Sequence, residues 1–399
     1  MRKIVIVSDF QDGWPPAQMP PSRTERIKAW TSQRKIELAQ QETRSSPGIQ
    51  VEGGYLERLP LACIACGLVD HAEIWSHWRP SAPPPRDAST PCLTRRFFQL
   101  NDATAPFASN DMLAHIEVFG PPDILCVWGL GVAEDVLIAC ETSFKIYNSI
   151  DAPALRIPTS LSARFDLILT GAEWQSREVE RLHPHMKTAV LPIGPEFASA
   201  SMFFPIPGPK LYDVIYVAAA QPYKRHDILF SALAKLPRTV SGLCVCGYGE
   251  NGERLRHQAA DLGLAIDFVG PPGVPAATLN RLINQAKIGI VCGVDDGAPA
   301  VLTEYMLAGL PVLANSELRC GRQYITPQTG SVASADEFHF GILRMLSRLS
   351  SFTPRDTVLK RWTWQHSIKK LRGLIQPRAS GTDAGHHLNV DPELKQARM

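Results

Sequence analysis

Short apolar runs alternate with amphipathic segments along most of the 399-residue chain. The runs have the length of buried strands, and the segments between them have the period of helices that bury one face. Such alternation is typical of parallel sheets covered by helices on both faces. The predicted strands are residues 3–7, 71–75, 97–100, 124–128, 145–148, 167–170 and 188–192 in the first half, and 214–218, 243–246, 266–269, 288–291 and 312–314 in the second.

Two α/β domains are predicted, because the rhythm breaks at residues 195–211, which show neither period and carry four prolines. We expect an N-terminal domain at 1–195, a linker at 196–211, a C-terminal domain at 212–360 and a polar, disordered tail at 377–399. Open α/β sheets bind ligands at the carboxyl ends of their strands, so a cleft between the domains is the expected site. The predicted helices are residues 55–67, 132–140, 175–182, 224–236, 252–262, 276–286, 300–308 and 364–374.

The composition is that of an ordinary globular protein, with 45% hydrophobic and 20% charged residues. A formal charge of +2 implies no general affinity for nucleic acid. No apolar run approaches the roughly 20 residues that cross a bilayer, and the first residues predict a strand, not a signal peptide. A cytoplasmic protein is expected. The basic residues at 23–35, with Trp30, leave contact with the inner membrane surface open, although a solvated helix is favoured.

The nine cysteines lie mostly in apolar runs, a pattern typical of reduced, buried thiols. Cys63 and Cys66 have the spacing of a redox or metal pair but lack a second matching pair. The eleven histidines form no convincing cluster, so no metal cofactor is expected.

The most informative stretch runs from Asp296 to Pro311. Asp296 and Glu304 are eight residues apart, separated by a Gly297-Ala298-Pro299 turn and the start of a short helix. A carboxylate near a helix N-terminus can accept the two hydroxyls of a ribose, and free N–H groups before it can meet phosphates. An ordinary capped helix is the alternative.

A cationic loop follows the first strand of the second domain. Lys224 and Arg225 begin a helix there, where a cation can neutralise a diphosphate. The glycines at 247 and 249 follow the next strand and would let the backbone approach a nucleotide closely. With Gly252 they also fit a dinucleotide fingerprint, which keeps a nicotinamide enzyme as an alternative, although the motif does not open a sheet.

Together these stretches resemble the nucleotide-sugar signature of retaining GT-B glycosyltransferases, family 4. The usual form, Glu-Gly-x-Pro-x-x-x-x-Glu, corresponds to Asp296 through Glu304. The resemblance implies two facing Rossmann-like domains with parallel sheets, and a final helix at 361–376 that crosses back to the first domain. The loop pattern Gly-Arg-x-x-x-x-Lys-Gly-x-Asp is matched at Lys224 and Asp227, but its arginine falls on Ala219.

The first domain departs further from this family. Asp151 matches the aspartate of a Thr-x-His-Asp pattern, whereas Ile150 stands at the histidine that contacts the transferred sugar. Asp151 as a plain turn residue is the alternative. The glycine-rich loop after the first strand is reduced to Asp12-Gly13-Trp14, which makes Gly13 the candidate acceptor loop.

The resemblance implies a transferase that moves a sugar from a nucleoside diphosphate donor to a glycan, lipid-linked or small-molecule acceptor. Lys224, Asp296 and Asp151 are the candidate catalytic residues. The candidate donor-binding residues are Glu304, Arg225, Gly297, Ala298, Pro299, Gly247 and Gly249. A catalytically inactive sugar-nucleotide-binding protein is the first alternative, and a sugar epimerase or dehydrogenase is the second.

Overall fold

A computed structural model of the chain describes residues 2–11, 55–79, 88–102, 104–129, 131–148, 157 and 159–375. The predictions for Gly13, Ile150, Asp151 and the tail at 377–399 lie outside these residues.

The first sheet contains eight strands in the order β3-β4-β2-β1-β5-β6-β7-β8. All neighbours pair in parallel except β3, which pairs antiparallel with β4 at the edge. The strands are β1 (Lys3–Gln11), β2 (His71–Trp78), β3 (Ala88–Ser89), β4 (Thr94–Gln99), β5 (Ile124–Trp128), β6 (Phe144–Asn148), β7 (Leu167–Thr170) and β8 (Thr188–Val190).

The second sheet contains six parallel strands in the order β11-β10-β9-β12-β13-β14. This is the doubly wound order in which the chain starts in the middle, runs to one edge, returns and runs to the other. The strands are β9 (Tyr212–Val217), β10 (Gly242–Val245), β11 (Ile266–Val269), β12 (Ala286–Val291), β13 (Val312–Asn315) and β14 (Gly330–Ala333).

Helices cover both faces of each sheet. Alternate residues of one strand enter different cores: Ile4 and Ile6 of β1 pack into one cluster, and Val5 and Val7 into another. The helices are α1 (Tyr55–Ala65), α2 (Asn110–Phe119), α3 (Glu134–Ala139), α4 (Thr159–Ser162), α5 (Glu173–Leu182), α6 (Ile193–Glu196), α7 (His226–Ala234), α8 (Gly252–Asp261), α9 (Ala276–Asn284), α10 (Val301–Leu307), α11 (Phe338–Leu346), α12 (Pro354–Arg361) and α13 (Trp364–Ile375).

The last helix packs on the first domain. Ile368 and Leu371 of α13 belong to the same core cluster as β1 and α1. The Trp364 indole N–H donates to the carbonyl of Phe197 at 2.8 Å, and Lys370 donates to that of Val190 at 2.6 Å. The C-terminal end of the described chain therefore ties the two domains together.

The α/β prediction is confirmed, and the predicted strands 124–128, 167–170 and 266–269 have the observed bounds. Five helices of the described chain were not among the predicted ones: α2, α4, α6, α11 and α12. In α2, Met112 and Ile116 are the buried residues, too few to create a clear helical period. No helix in the described parts of the chain is long and apolar enough to cross a membrane.

Candidate active site

The loops after β9 and β12 meet at the point where the second sheet reverses its strand order. β9 and β12 are neighbours, yet their connections leave in opposite directions, which opens a crevice at their carboxyl ends. Lys224 lies in the loop after β9 and Asp296 in the loop after β12. Both were predicted from sequence, and the topology brings them together.

Lys224 and Asp296 form an ion pair between the ammonium and Oδ2. Their side chains are 13% and 11% exposed. Burial alone would lower the pKa of Lys224, but the adjacent Asp296 carboxylate more than compensates, and the net effect is a raised pKa. The ammonium also lies 5.0 Å from the ring centroid of Tyr223. Its pairing with Asp296 therefore favours the charged form of Lys224 in the crevice.

Side chains of β9 and α7 support the loop that carries Lys224. The Tyr216 hydroxyl of β9 donates to the carbonyl of Lys224, and the buried His226 ring packs 4.8 Å from the Tyr216 ring. Arg225 takes a left-handed conformation with φ of 54°. Its guanidinium turns to Asp227, at 2.8 Å, so the predicted second diphosphate cation pairs here with a carboxylate of its own helix.

The Gly297-Ala298-Pro299 turn precedes α10. Ala298 has a φ of 68°, and its N–H donates to the carbonyl of Asp296 at 2.9 Å. That N–H is therefore engaged within the turn, not open to a phosphate as the sequence predicted. The Ala298 side chain is buried, and it packs with Cys320 and Trp174. The turn thus contacts the first domain directly.

Glu304 lies on α10 and is 5% exposed. Its Oε1 forms an ion pair with Arg58 of α1, in the other domain. Arg58 also donates from Nη1 to the carbonyl of Gly194 at 3.1 Å. The sequence analysis missed Arg58; the signal available was the pair of neighbouring charges Glu57 and Arg58 in a helix that is otherwise mostly apolar.

Aromatic side chains of the first domain line the same cleft. The first sheet reverses between β1 and β5, and α1 and the end of β5 lie at this reversal. Tyr55, the first residue of α1, packs edge-on against Trp128 of β5, with ring centroids 6.3 Å apart. Burial raises the pKa of Tyr55, and the charges of Lys224, Arg58, Asp296 and Glu304 all act on its hydroxyl. The two reversal points therefore face each other.

A second set of contacts joins the domains beside the crevice. The Trp174 indole donates to the carbonyl of Arg319 at 2.7 Å, and the Arg319 guanidinium lies 4.1 Å from the Trp174 ring centroid. Gln323 donates to the carbonyl of Gly171 at 2.9 Å. The Thr303 hydroxyl of α10 donates to the carbonyl of Pro195 at 2.9 Å. The Thr303 bond holds α10 against the first domain, and the other contacts hold the segment between β13 and β14 there.

The predicted glycines serve local packing. Gly249 has a φ of 118°, and a β-carbon there would lie 2.5 Å from the carbonyl oxygen of Ala220. This close approach connects the loop after β10 to the loop that carries Lys224. There is more space at Gly247, where an added β-carbon would lie 4.0 Å from the Gly273 Cα. Gly252 begins α8 after β10, the second strand of its sheet, whereas a dinucleotide fingerprint follows the first.

Cys63, one of the two cysteines with redox or metal spacing, packs in the core of the first domain. Cys63 is buried in α1, and burial raises the pKa of its thiol well above the ordinary value. Within the described ranges, no group of three His, Cys, Asp or Glu side chains is placed to hold a metal ion.

Comparison with known proteins agrees with this geometry. Residues 203–339 match the family described as glycosyl transferases group 1. The chain is 27% identical over 188 residues to a GDP-mannose-dependent alpha-(1-6)-phosphatidylinositol monomannoside mannosyltransferase of Mycolicibacterium smegmatis, covering 43% of this chain and 49% of that protein. The match thus spans about half the length of this curated relative.

Two solved structures share the fold over nearly the whole chain. Sucrose-phosphate synthase of Thermosynechococcus elongatus has a TM-score of 0.65 at 16% identity, with 94% of this chain and 98% of that chain covered. Anabaena HepE in complex with UDP and glucose has a TM-score of 0.61 at 13% identity, with coverages of 94% and 99%. The predicted resemblance to GT-B glycosyltransferases is confirmed, and the predicted enzyme class is that of the matched family.

Proposed function

We propose that this chain transfers a sugar from a nucleoside diphosphate donor to an acceptor hydroxyl, with retention at the anomeric carbon. One observation carries the proposal: a largely enclosed Lys224–Asp296 ion pair and the Glu304 carboxylate lie together at the sheet reversal of a glycosyl transferases group 1 domain. Ligands bind such reversals because the diverging loops leave an open crevice.

Each side chain has a proposed task in this reaction. Glu304 accepts the ribose hydroxyls, while Asp296 and the backbone N–H of Gly297 hold the sugar and phosphates. Lys224 stabilises the negative charge that develops on the departing diphosphate. A preorganised charge of this kind, acting where water is excluded, contributes about 3–4 kcal/mol to transition-state stabilisation. We propose that the lysine performs this task without a metal ion.

The first domain is proposed to hold the acceptor, with roles for Asp151 and Gly13. Closure of the two domains would exclude water and limit donor hydrolysis. The Mycolicibacterium relative is named for a phosphatidylinositol mannoside, which supports testing lipid-linked acceptors at a membrane surface beside soluble ones.

The first test is donor binding. Thermal shift with UDP, GDP and NAD should show stabilisation by a nucleoside diphosphate and none by NAD. The panel needs both bases, because the Anabaena structure contains UDP whereas the Mycolicibacterium relative depends on GDP-mannose. Stabilisation by NAD alone would overturn the proposal.

The second test is turnover of the matching sugar nucleotide, with the product anomer assigned by NMR. Lys224→Ala should slow turnover strongly, and EDTA should leave it unchanged. A catalytically silent sugar-nucleotide-binding protein is the second candidate, because Ala219, buried and uncharged, occupies the arginine position of the family loop. Equal turnover by wild type and Lys224→Ala would favour that candidate.

A further inference from the structure

Arg58 is the feature of the cleft that the proposed function does not yet use. Its side chain is 10% exposed, and it extends from α1 of the first domain into the donor side of the second. Burying a guanidinium is costly unless it is paired and hydrogen-bonded, and Arg58 is both, through Glu304 and the carbonyl of Gly194. The planar guanidinium presents several N–H donors to an anion.

Before a ligand binds, the two carboxylates of the cleft are balanced by Lys224 and Arg58. Asp296 and Glu304 contribute two negative charges, and Lys224 supplies one positive charge. A diphosphate adds a negative charge on each phosphoryl group, so Lys224 alone would leave the crevice strongly anionic. Arg58 removes part of this imbalance.

Two other arginines near the cleft are less suitable. Arg225 pairs with Asp227 and has a side chain that is 42% exposed. Arg319 stacks on Trp174, faces Asp295 at 3.6 Å and is 43% exposed. Arg58 is far more enclosed than either, and enclosure strengthens its attraction for an anion.

A ribose that binds Glu304 competes with Arg58 for one of the two carboxylate oxygens. The carboxylate oxygen that pairs with Arg58 is one of the two that the ribose hydroxyls would use. When the ribose takes over Glu304, the guanidinium loses its counter-ion while it is still buried. Its planar fork of donors suits phosphate oxygens.

We propose that Arg58 is a donor-binding cation supplied by the first domain: it leaves Glu304 when the ribose arrives and pairs with the diphosphate. This inference rests on the proposed function. It makes donor binding depend on both domains, because Arg58 comes from α1 of the first domain and Glu304 from α10 of the second.

The test compares the affinities of a nucleoside diphosphate and its bare nucleoside. UDP and GDP are titrated by calorimetry, and uridine and guanosine by NMR, against wild type, Arg58→Gln and Arg58→Lys. Arg58→Gln should lower the affinity for the nucleoside diphosphate by about 10- to 100-fold, for whichever of UDP and GDP the wild type binds. The bare nucleoside should bind at least as well as before, because Glu304 is free. Arg58→Lys should recover part of the loss.

Arg164→Gln is the matched control. Arg164 is an exposed arginine of the same domain, paired with Glu134 at 2.8 Å, and its replacement should change neither affinity. Because Arg58→Gln leaves a buried carboxylate unpaired, the comparison is repeated in the Glu304→Gln background. There, Arg58→Gln should still weaken diphosphate binding and spare the nucleoside.

Three results would overturn the inference: unchanged diphosphate affinity, equal weakening of both ligands, or equal tightening of both. Equally weakened binding of both ligands would assign Arg58 a purely structural role. Equally tightened binding of both would mean that Arg58 only competes with the ribose for Glu304. If wild type binds neither UDP nor GDP, the proposed function itself fails, and this is visible before any variant is made.

Discussion

His226 makes the stability of the donor domain sensitive to acid. It is the first residue of α7, directly after the loop that carries Lys224, and it is 3% exposed. Burial, reinforced by the Lys224 charge and opposed by Asp227, lowers its pKa from the ordinary 6.5 to about 4. Among the described residues, the Nε2 of His226 has no hydrogen-bond partner. A protonated ring would therefore carry an N–H group without an acceptor in the folded protein.

The direction and size of the effect follow from the difference in pKa between the two states. Between about pH 4 and 6.5 the unfolded chain binds a proton at this histidine and the folded chain does not, so stability falls as the pH falls. At pH 5 the folded protein loses about 2 kcal/mol relative to pH 7.5 through this residue. The loss is complete below about pH 4.

His226→Phe is the perturbation, since a phenyl ring can fill the space between Tyr216 and Phe230 and does not titrate. Urea unfolding at pH 7.5 and pH 5 should show that the variant loses about 2 kcal/mol less than wild type. His257→Phe, at an exposed position of α8, should keep the wild-type dependence. Equal losses in wild type and His226→Phe would refute the reasoning.

Three further predictions concern the donor site and its support. Glu304→Gln should lower the affinity for the nucleoside diphosphate by about 10- to 100-fold in calorimetry, because a charge-assisted hydrogen bond to ribose is lost. Unchanged affinity would show that Glu304 is not part of the donor site. Lys224→Met should lower kcat about 100- to 1,000-fold with a smaller change in KM, measured by release of nucleoside diphosphate. A change in KM alone would assign Lys224 to ground-state binding of the donor. Gly289→Ala should destabilise the protein by about 1–3 kcal/mol in urea, because the new methyl would lie 2.5 Å and 2.7 Å from the Tyr305 ring atoms Cγ and Cε2. Gly373→Ala, with open space around it in α13, should be neutral or slightly stabilising, and equal effects at the two glycines would contradict the packing argument.

The sequence determined the strand–helix order and the chemistry of the second domain. Buried parallel strands are short apolar runs, so their positions are encoded locally, and the bounds at 124–128 and 266–269 agree with the structure. Asp296 and Glu304 were found because their spacing along one chain segment is itself the signal, and Lys224 because its loop follows the first strand of the second domain. Local polar contacts weakened the other inferences: Arg225 pairs with Asp227, and the N–H of Ala298 donates within its own turn.

Tertiary structure alone decided which residues meet across the cleft. Arg58 and Glu304 are 246 residues apart in the chain, and no local pattern links a charge in α1 to one in α10. Tyr55 and Trp128 likewise appear in the sequence as ordinary helix and strand residues. They become part of the site because each sheet reverses its strand order where the two domains face each other, and chain connectivity over long distances, not local periodicity, sets that point.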